Sequence, residues 1–125
     1  IRAPGPVDVP HAWAYLPDLA AAFVALAEQR DRLGAFEVFH FEGHTASIRD
    51  LAAAASAAYG RPRRVRRVPC LVFYLIGLFD PVIRASREMA YLWRVPHRLA
   101  DRRLEMITGP LVATPLSKAL ASIGR

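Results

Sequence analysis

A chain of 125 residues with 54% apolar content suits one domain, or part of a larger one, with hydrophobic material enough for a core. No apolar run approaches the roughly twenty residues a membrane span needs. The single cysteine, Cys70, excludes an internal disulfide and fits a reducing cytoplasm.

The net charge of +6 is divided unevenly: the first sixty residues hold four arginines against seven acids, the rest twelve arginines and one lysine against four acids. Such asymmetry is the footprint one checks for anionic partners, although an arginine- and alanine-rich composition also follows from a GC-rich genome. The chain opens on Ile1 with neither methionine nor an apolar leader, which suggests a piece of a longer protein.

Ile1 to Pro10, with three prolines and a glycine, reads as a connecting loop. His11-Ala-Trp13-Ala-Tyr15 must then run extended, because the chain ahead of Pro17 is pushed out of the α region. Pro17 suits a first helical turn and Asp18 complements the helix dipole there, so a helix is predicted over Pro17 to Glu28. Leu19, Ala20, Phe23, Val24, Leu26 and Ala27 give it a broad apolar face of the kind that packs on a sheet.

Ala35 to Phe41 (AFEVFHF) is short, aromatic and branched, and predicts a strand; EGHTA turns the chain. Ser47 and Asp50 form a capping-box-like start for a helix that ends at Gly60, a C-cap glycine. RPRRVRRVP predicts a short edge strand. The uncharged stretch Val68 to Phe79 predicts a buried helix. Asp80-Pro81 starts another, running to about Trp93, with Arg84 and Glu88 as an i,i+4 pair. Arg94 to Leu99 is a loop or short strand, Asp101 caps a brief helix to Ile107, and Thr114-Pro115 opens the last.

Motif searching is mostly negative. No glycine-rich phosphate loop, no tyrosine followed four residues on by lysine, no G-x-S-x-G, no C-x-x-C and no H-E-x-x-H occurs. His40 and His44 lie four apart, but on a strand and beyond Gly43, so no metal site is expected. His11, Trp13 and Tyr15 alternate and face one way if extended. They read either as aromatics covering the first helix or as the wall of a ligand cleft. Asp18 reads chiefly as a helix-start residue. Arg61, Arg63, Arg64, Arg66 and Arg67 read better as a solvated edge strand than as a nucleic-acid stripe, since no aromatics interleave them. Tyr91 and Arg94 sit at a helix end, within reach of a ligand.

PHAWAYLPDLAAAFVALAE, GAFEVFHF and TASIRDLAAAASAAYGRPRRVRRVP, in this order, resemble the C-terminal half of NAD-dependent epimerase/dehydratase-family proteins, the extended or atypical extended short-chain dehydrogenases/reductases. Tyr15-Leu-Pro-Asp18-Leu-Ala20 looks like the family's aromatic-x-x-Asp-hydrophobic-Ala segment. Tyr91-Leu-Trp93 and Thr114-Pro115-Leu116 look like features of its tail.

The resemblance implies an α/β fold: the C-terminal lobe of an extended Rossmann-type fold, with few short strands and a helix-rich second half, residues 1–125 forming one partial domain. It implies a small-molecule substrate, a nucleotide sugar or small carbonyl compound, and NAD or NADP bound by an N-terminal Rossmann half. No cofactor is expected on residues 1–125 alone, and the family's glycine-rich loop and Tyr-x-x-x-Lys pair are absent. No catalytic residue is therefore carried over. His11, Trp13, Tyr15, Tyr91 and Trp93 are placed beside the substrate cleft, and the protein is expected to be cytoplasmic with no membrane partner. A basic nucleic-acid-binding module and a stand-alone partner-binding module are the alternatives.

Overall fold

The computed structural model describes residues 1–3, 5–68, 75–86 and 88–123. In chain order, the described residues form β1 (Arg2–Ala3), β2 (His11–Trp13), α1 (Leu16–Glu28), β3 (His44–Ala46), α2 (Ile48–Tyr59), β4 (Arg66–Arg67), α3 (Pro81–Ser86), α4 (Arg102–Thr108) and α5 (Leu116–Ile123). Two 3₁₀ segments, Arg30–Arg32 and Glu88–Trp93, interrupt the order. The strands pair as two small ladders, β1 parallel to β4 and β2 antiparallel to β3. The result is an α/β fold with little sheet and a helical second half.

Local chemistry explains the helix ends. Pro17 lies in the first turn of α1 beside Asp18, where a missing N–H costs nothing. Ser47 and Asp50 make a full capping box on α2: the Asp50 amide donates to Ser47 Oγ (3.1 Å) and the Ser47 amide to Asp50 Oδ2 (2.9 Å). Gly60 closes α2 at φ 63°, a left-handed conformation that glycine adopts without strain. Asp80 accepts from the amides of Val82 and Ile83, and Asp101 from that of Arg103.

Tertiary pairing overrode several local expectations. The predicted N-terminal loop contributes β1, because the Arg66 amide donates to the Ile1 carbonyl and that of Val68 to Ala3, both at 2.9 Å. The predicted strand Ala35–Phe41 does not form, and the strand lies further on, at His44–Ala46. A strand exists only where a partner takes its backbone groups. At His44–Ala46 that partner is β2, whereas the His40 amide is taken by the Asp101 carboxylate. The predicted helix to Trp93 stops at Ser86 and gives way to the 3₁₀ segment; the Glu88 side chain of the expected ion pair lies outside the described structure.

Of the predicted buried helix Val68–Phe79, residues 69–74 lie outside the described residues, and its end is exposed, Phe79 at 90%. The apolar face of α1 is likewise only partly used. It packs against α4 and buries Ala22 and Asp18, but Phe23 and Val24 are 65% and 60% exposed.

Among the described residues the core is built mostly from small side chains: Ala3, Ala22, Ala46, Ala52, Ala55 and Ala119, with Val7, Ile48 and Leu104. Trp13, Leu51, Val65 and Trp93 pack, half-buried, against the cluster of Ala3, Val7 and Ile48. Among the described residues, large apolar side chains such as Phe23, Phe36 and Phe79 remain exposed. Among the described residues no helix is long and apolar enough to cross a membrane.

A candidate ligand cleft on strand β2

Two elements far apart in sequence make the cleft. Strand β2 offers His11, Ala12 and Trp13; the 3₁₀ segment offers Met89, Leu92 and Trp93; His97 closes the ring, and the space enclosed is about 400 Å³. That is the size of a small-molecule pocket. Antiparallel pairing of β2 with β3, in the register His11 to Ala46 and Trp13 to His44, fixes one wall. The Trp13 indole N–H donates to the Ala46 carbonyl at 2.9 Å and locks its ring. Gly43 permits the approach, since a Cβ there would lie 2.2 Å from the Trp13 carbonyl oxygen.

The opposite wall follows from the threefold period of a 3₁₀ helix, which stacks residues three apart on one face. Met89 and Leu92 share a face, with Trp93 beside them. Gly5 lets Trp93 settle, for a Cβ at that position would meet the Trp93 Cβ at 2.7 Å. The amide of His97 donates to the Pro10 carbonyl at 3.2 Å, anchoring the loop one residue before β2.

His11 is the polar centre. It is 3% exposed, meets Trp93 edge to face with centroids 5.7 Å apart, and brings Nδ1 to 3.3 Å from His97 Nδ1. Between two ring nitrogens only one can carry the shared proton. His97 Nδ1 also lies 3.4 Å from the Val95 carbonyl, which can only accept, so the proton is assigned to His97. His11 Nδ1 is then an acceptor and Nε2 carries the N–H. That Nε2 is buried, and the Trp93 main-chain carbonyl is the acceptor that the ring meets. Burial, and then the neighbouring His97, hold the His11 pKa below its usual value, against a smaller opposing pull from the Trp93 main-chain carbonyl.

Three of the five sequence-predicted site residues, His11, Trp13 and Trp93, meet in this cleft. Tyr15 does not line it: as the residue ahead of α1 it turns to α5, its hydroxyl 2.8 Å from Ser122 Oγ. Tyr91 is 61% exposed and also absent from the lining, since with three residues per turn it takes the face shared neither by Met89 and Leu92 nor by Trp93. Asp18 is architectural, as expected: its carboxylate accepts from the Thr114 amide (2.7 Å) and hydroxyl (2.8 Å). Sequence reading missed His97, Met89 and Leu92. Only the His97 imidazole carried any signal, and nothing local joined it to His11 across 86 positions.

A second groove, about 560 Å³ between α2 and β4, is lined by Arg49, Arg63 and Arg67 with Val7, Ser56 and Val65 among others. Its charges are partly spent: Arg49 is paired with Asp8, and Arg63 lies over the Tyr59 ring at 5.0 Å. Arg66 and Arg67 form the short exposed strand that their charge suggested. Among the described residues no cluster of three or more histidine, cysteine, aspartate or glutamate side chains is placed to hold a metal.

Nor do the described residues fit a dinucleotide. Both positive-φ glycines, Gly60 and Gly109, end helices, whereas a pyrophosphate is held at a helix beginning by a glycine-rich turn.

The fold is thus an α/β arrangement that corresponds to part of a larger, epimerase-like one. It is similar to the crystal structure of "a putative epimerase from Burkholderia cenocepacia J2315", with a TM-score of 0.62 at 20% identity. The similarity takes in 97% of this chain but 33% of that protein, so the chain spans about a third of that relative's length. No family model matches the sequence, and no curated protein does.

Proposed function

We propose that this chain is the substrate-selecting lobe of a larger NAD(P)-dependent epimerase-, dehydratase- or reductase-like protein, and that the β2 cleft receives the substrate. The observation that carries the reading is the cleft itself. Two indole rings, two aliphatic side chains and two imidazoles, that of His11 buried, converge from separate elements, in a chain whose fold corresponds to a third of a longer protein.

The exposed surface supports the same reading. Phe23, Val24 and Phe36 are large apolar side chains left in water, the side chains that an interface with a missing half would cover. The companion is a dinucleotide-binding half that supplies the redox chemistry. No proton or hydride step is assigned to residues 1–125; their part is to orient the substrate and exclude water.

The test is to extend the chain with the coding sequence that precedes it in its genome and to titrate both forms with NAD+ and NADP+ by calorimetry. Binding by the extended protein but not by residues 1–125 is the expected result. An in-frame stop immediately upstream, or an extended protein that binds neither dinucleotide, would overturn the proposal.

A further inference from the structure

We infer that the turn at Leu75–Phe79 enters the headgroup layer of an anionic membrane, so that the protein rests on a lipid surface without crossing it. What the β2 cleft binds does not bear on this contact. Between Arg61 and Arg98 nine arginines stand against two acids, Asp80 and Glu88, whereas the rest of the chain carries a net charge of −1. In the middle of that basic region lie the twelve uncharged residues Val68 to Phe79. A run of that length is too short to span a bilayer and belongs either in a core or at an interface. Its described end is not in a core: Leu75, Ile76 and Leu78 are exposed, and Phe79 almost wholly so.

The turn suits an apolar surrounding. The Leu78 amide donates to the Leu75 carbonyl at 3.3 Å, and the amides of Phe79 and Asp80 both donate to Ile76 at 3.0 Å. These groups need no water, which is the condition for backbone to enter a lipid layer. Asp80, the one acid between Arg67 and Glu88, has its carboxylate engaged by the amides of Val82 and Ile83 at the start of α3. Arg84 and Arg94 follow, both exposed and neither paired with a carboxylate among the described residues. Exposed Tyr91 lies in the 3₁₀ segment that packs on α3. Apolar side chains that insert, arginines that meet anionic headgroups and an aromatic at the boundary are the parts of an interfacial contact. The α1 face makes the contrast. Phe23, Val24 and Phe36 also meet water, but Glu28, Asp31 and Glu37 stand there with Arg30 and Arg32, a mixed rim that would repel an anionic surface as much as attract it. Charge distinguishes the two apolar surfaces.

The test uses the full-length product of the gene that encodes this chain, in flotation with vesicles of phosphatidylcholine alone and with about one third phosphatidylglycerol. Binding to the anionic vesicles about tenfold tighter or more than to the neutral ones is expected. Leu78→Ser with Phe79→Ser should weaken it about tenfold or more, from the lost apolar burial, and Arg84→Gln about fivefold, the share of one arginine. Both serine sites already face water, so an unchanged Tm shows that the variant folds. Met106→Ser, at an exposed apolar side chain outside the basic region, should bind like the parent. Full binding after the serine pair, or equal binding to both kinds of vesicle, would overturn the inference. So would no flotation with either, the result expected if a companion half covers the turn or if the arginines hold RNA instead.

Discussion

Asp18 offers the sharpest test of how this chain is held together. Its carboxylate is 8% exposed and accepts two hydrogen bonds from Thr114, at 2.7 Å from the amide and 2.8 Å from the hydroxyl, across 96 positions of sequence. One side chain therefore joins the start of α1 to the start of α5. Replacing it by alanine removes two charge-assisted bonds, each worth about 1.5–3 kcal/mol, and leaves the Thr114 amide without its acceptor. Thr114 is only half-buried, so water recovers part of the loss, and a net cost of about 2–3 kcal/mol is expected for Asp18→Ala. For a domain of this size that lowers Tm by about 8–12 °C, measurable by circular dichroism or calorimetry.

Asp18→Asn keeps one acceptor and should lose about half as much, and Thr114→Val, which gives up only the hydroxyl, about 1 kcal/mol. The double variant Asp18→Ala with Thr114→Val should cost less than the two singles together, because they break one shared interaction. A loss below about 0.5 kcal/mol in Asp18→Ala, or strictly additive losses, would refute the argument.

Further outcomes follow from other contacts. Gly43→Ala forces a Cβ to within 2.2 Å of the Trp13 carbonyl; backbone cannot swing aside, and a loss of about 3 kcal/mol or more is expected in urea unfolding. Gly60→Ala, with open space but φ +63°, should cost only about 1–2 kcal/mol. Acidification should act in two windows. His11, whose folded pKa is lowered, refuses a proton that the unfolded chain accepts, so stability falls as pH drops below about 6.5. Asp8, Asp50 and Asp101 are held below the usual carboxylate range, by Arg49, by Ser47 and by the His40 amide respectively. Their contribution persists above about pH 3.9 and is lost only below it. A profile of Tm against pH reads both, and His11→Gln should flatten the upper window alone. Replacing Phe23 by serine and Val24 by threonine should raise solubility while moving Tm little, since both side chains already face water; unfolding by this pair would show that the α1 face is used within the chain.

Local signals determined where several helices start and how they are capped, though not how far the helix from Pro81 runs. Pro17, the Ser47–Asp50 box, Gly60, Asp80 and Asp101 act within a turn of their own position, so they are readable residue by residue, and each appears in the structure where its chemistry placed it. The resemblance to epimerase-type proteins agreed with the α/β class and the structural match.

Only the tertiary structure decided the strands and the cleft. AFEVFHF has every local mark of a strand, yet the ladder formed at His44–Ala46 because that is where β2 lies. Likewise His11, Trp13 and Trp93 share the β2 cleft, while Tyr15 reaches Ser122 and Tyr91 faces solvent. The His11–His97 pair rests on a tautomer choice made across 86 positions. Strands and clefts are made of pairings between distant segments, and a pairing belongs to neither segment alone.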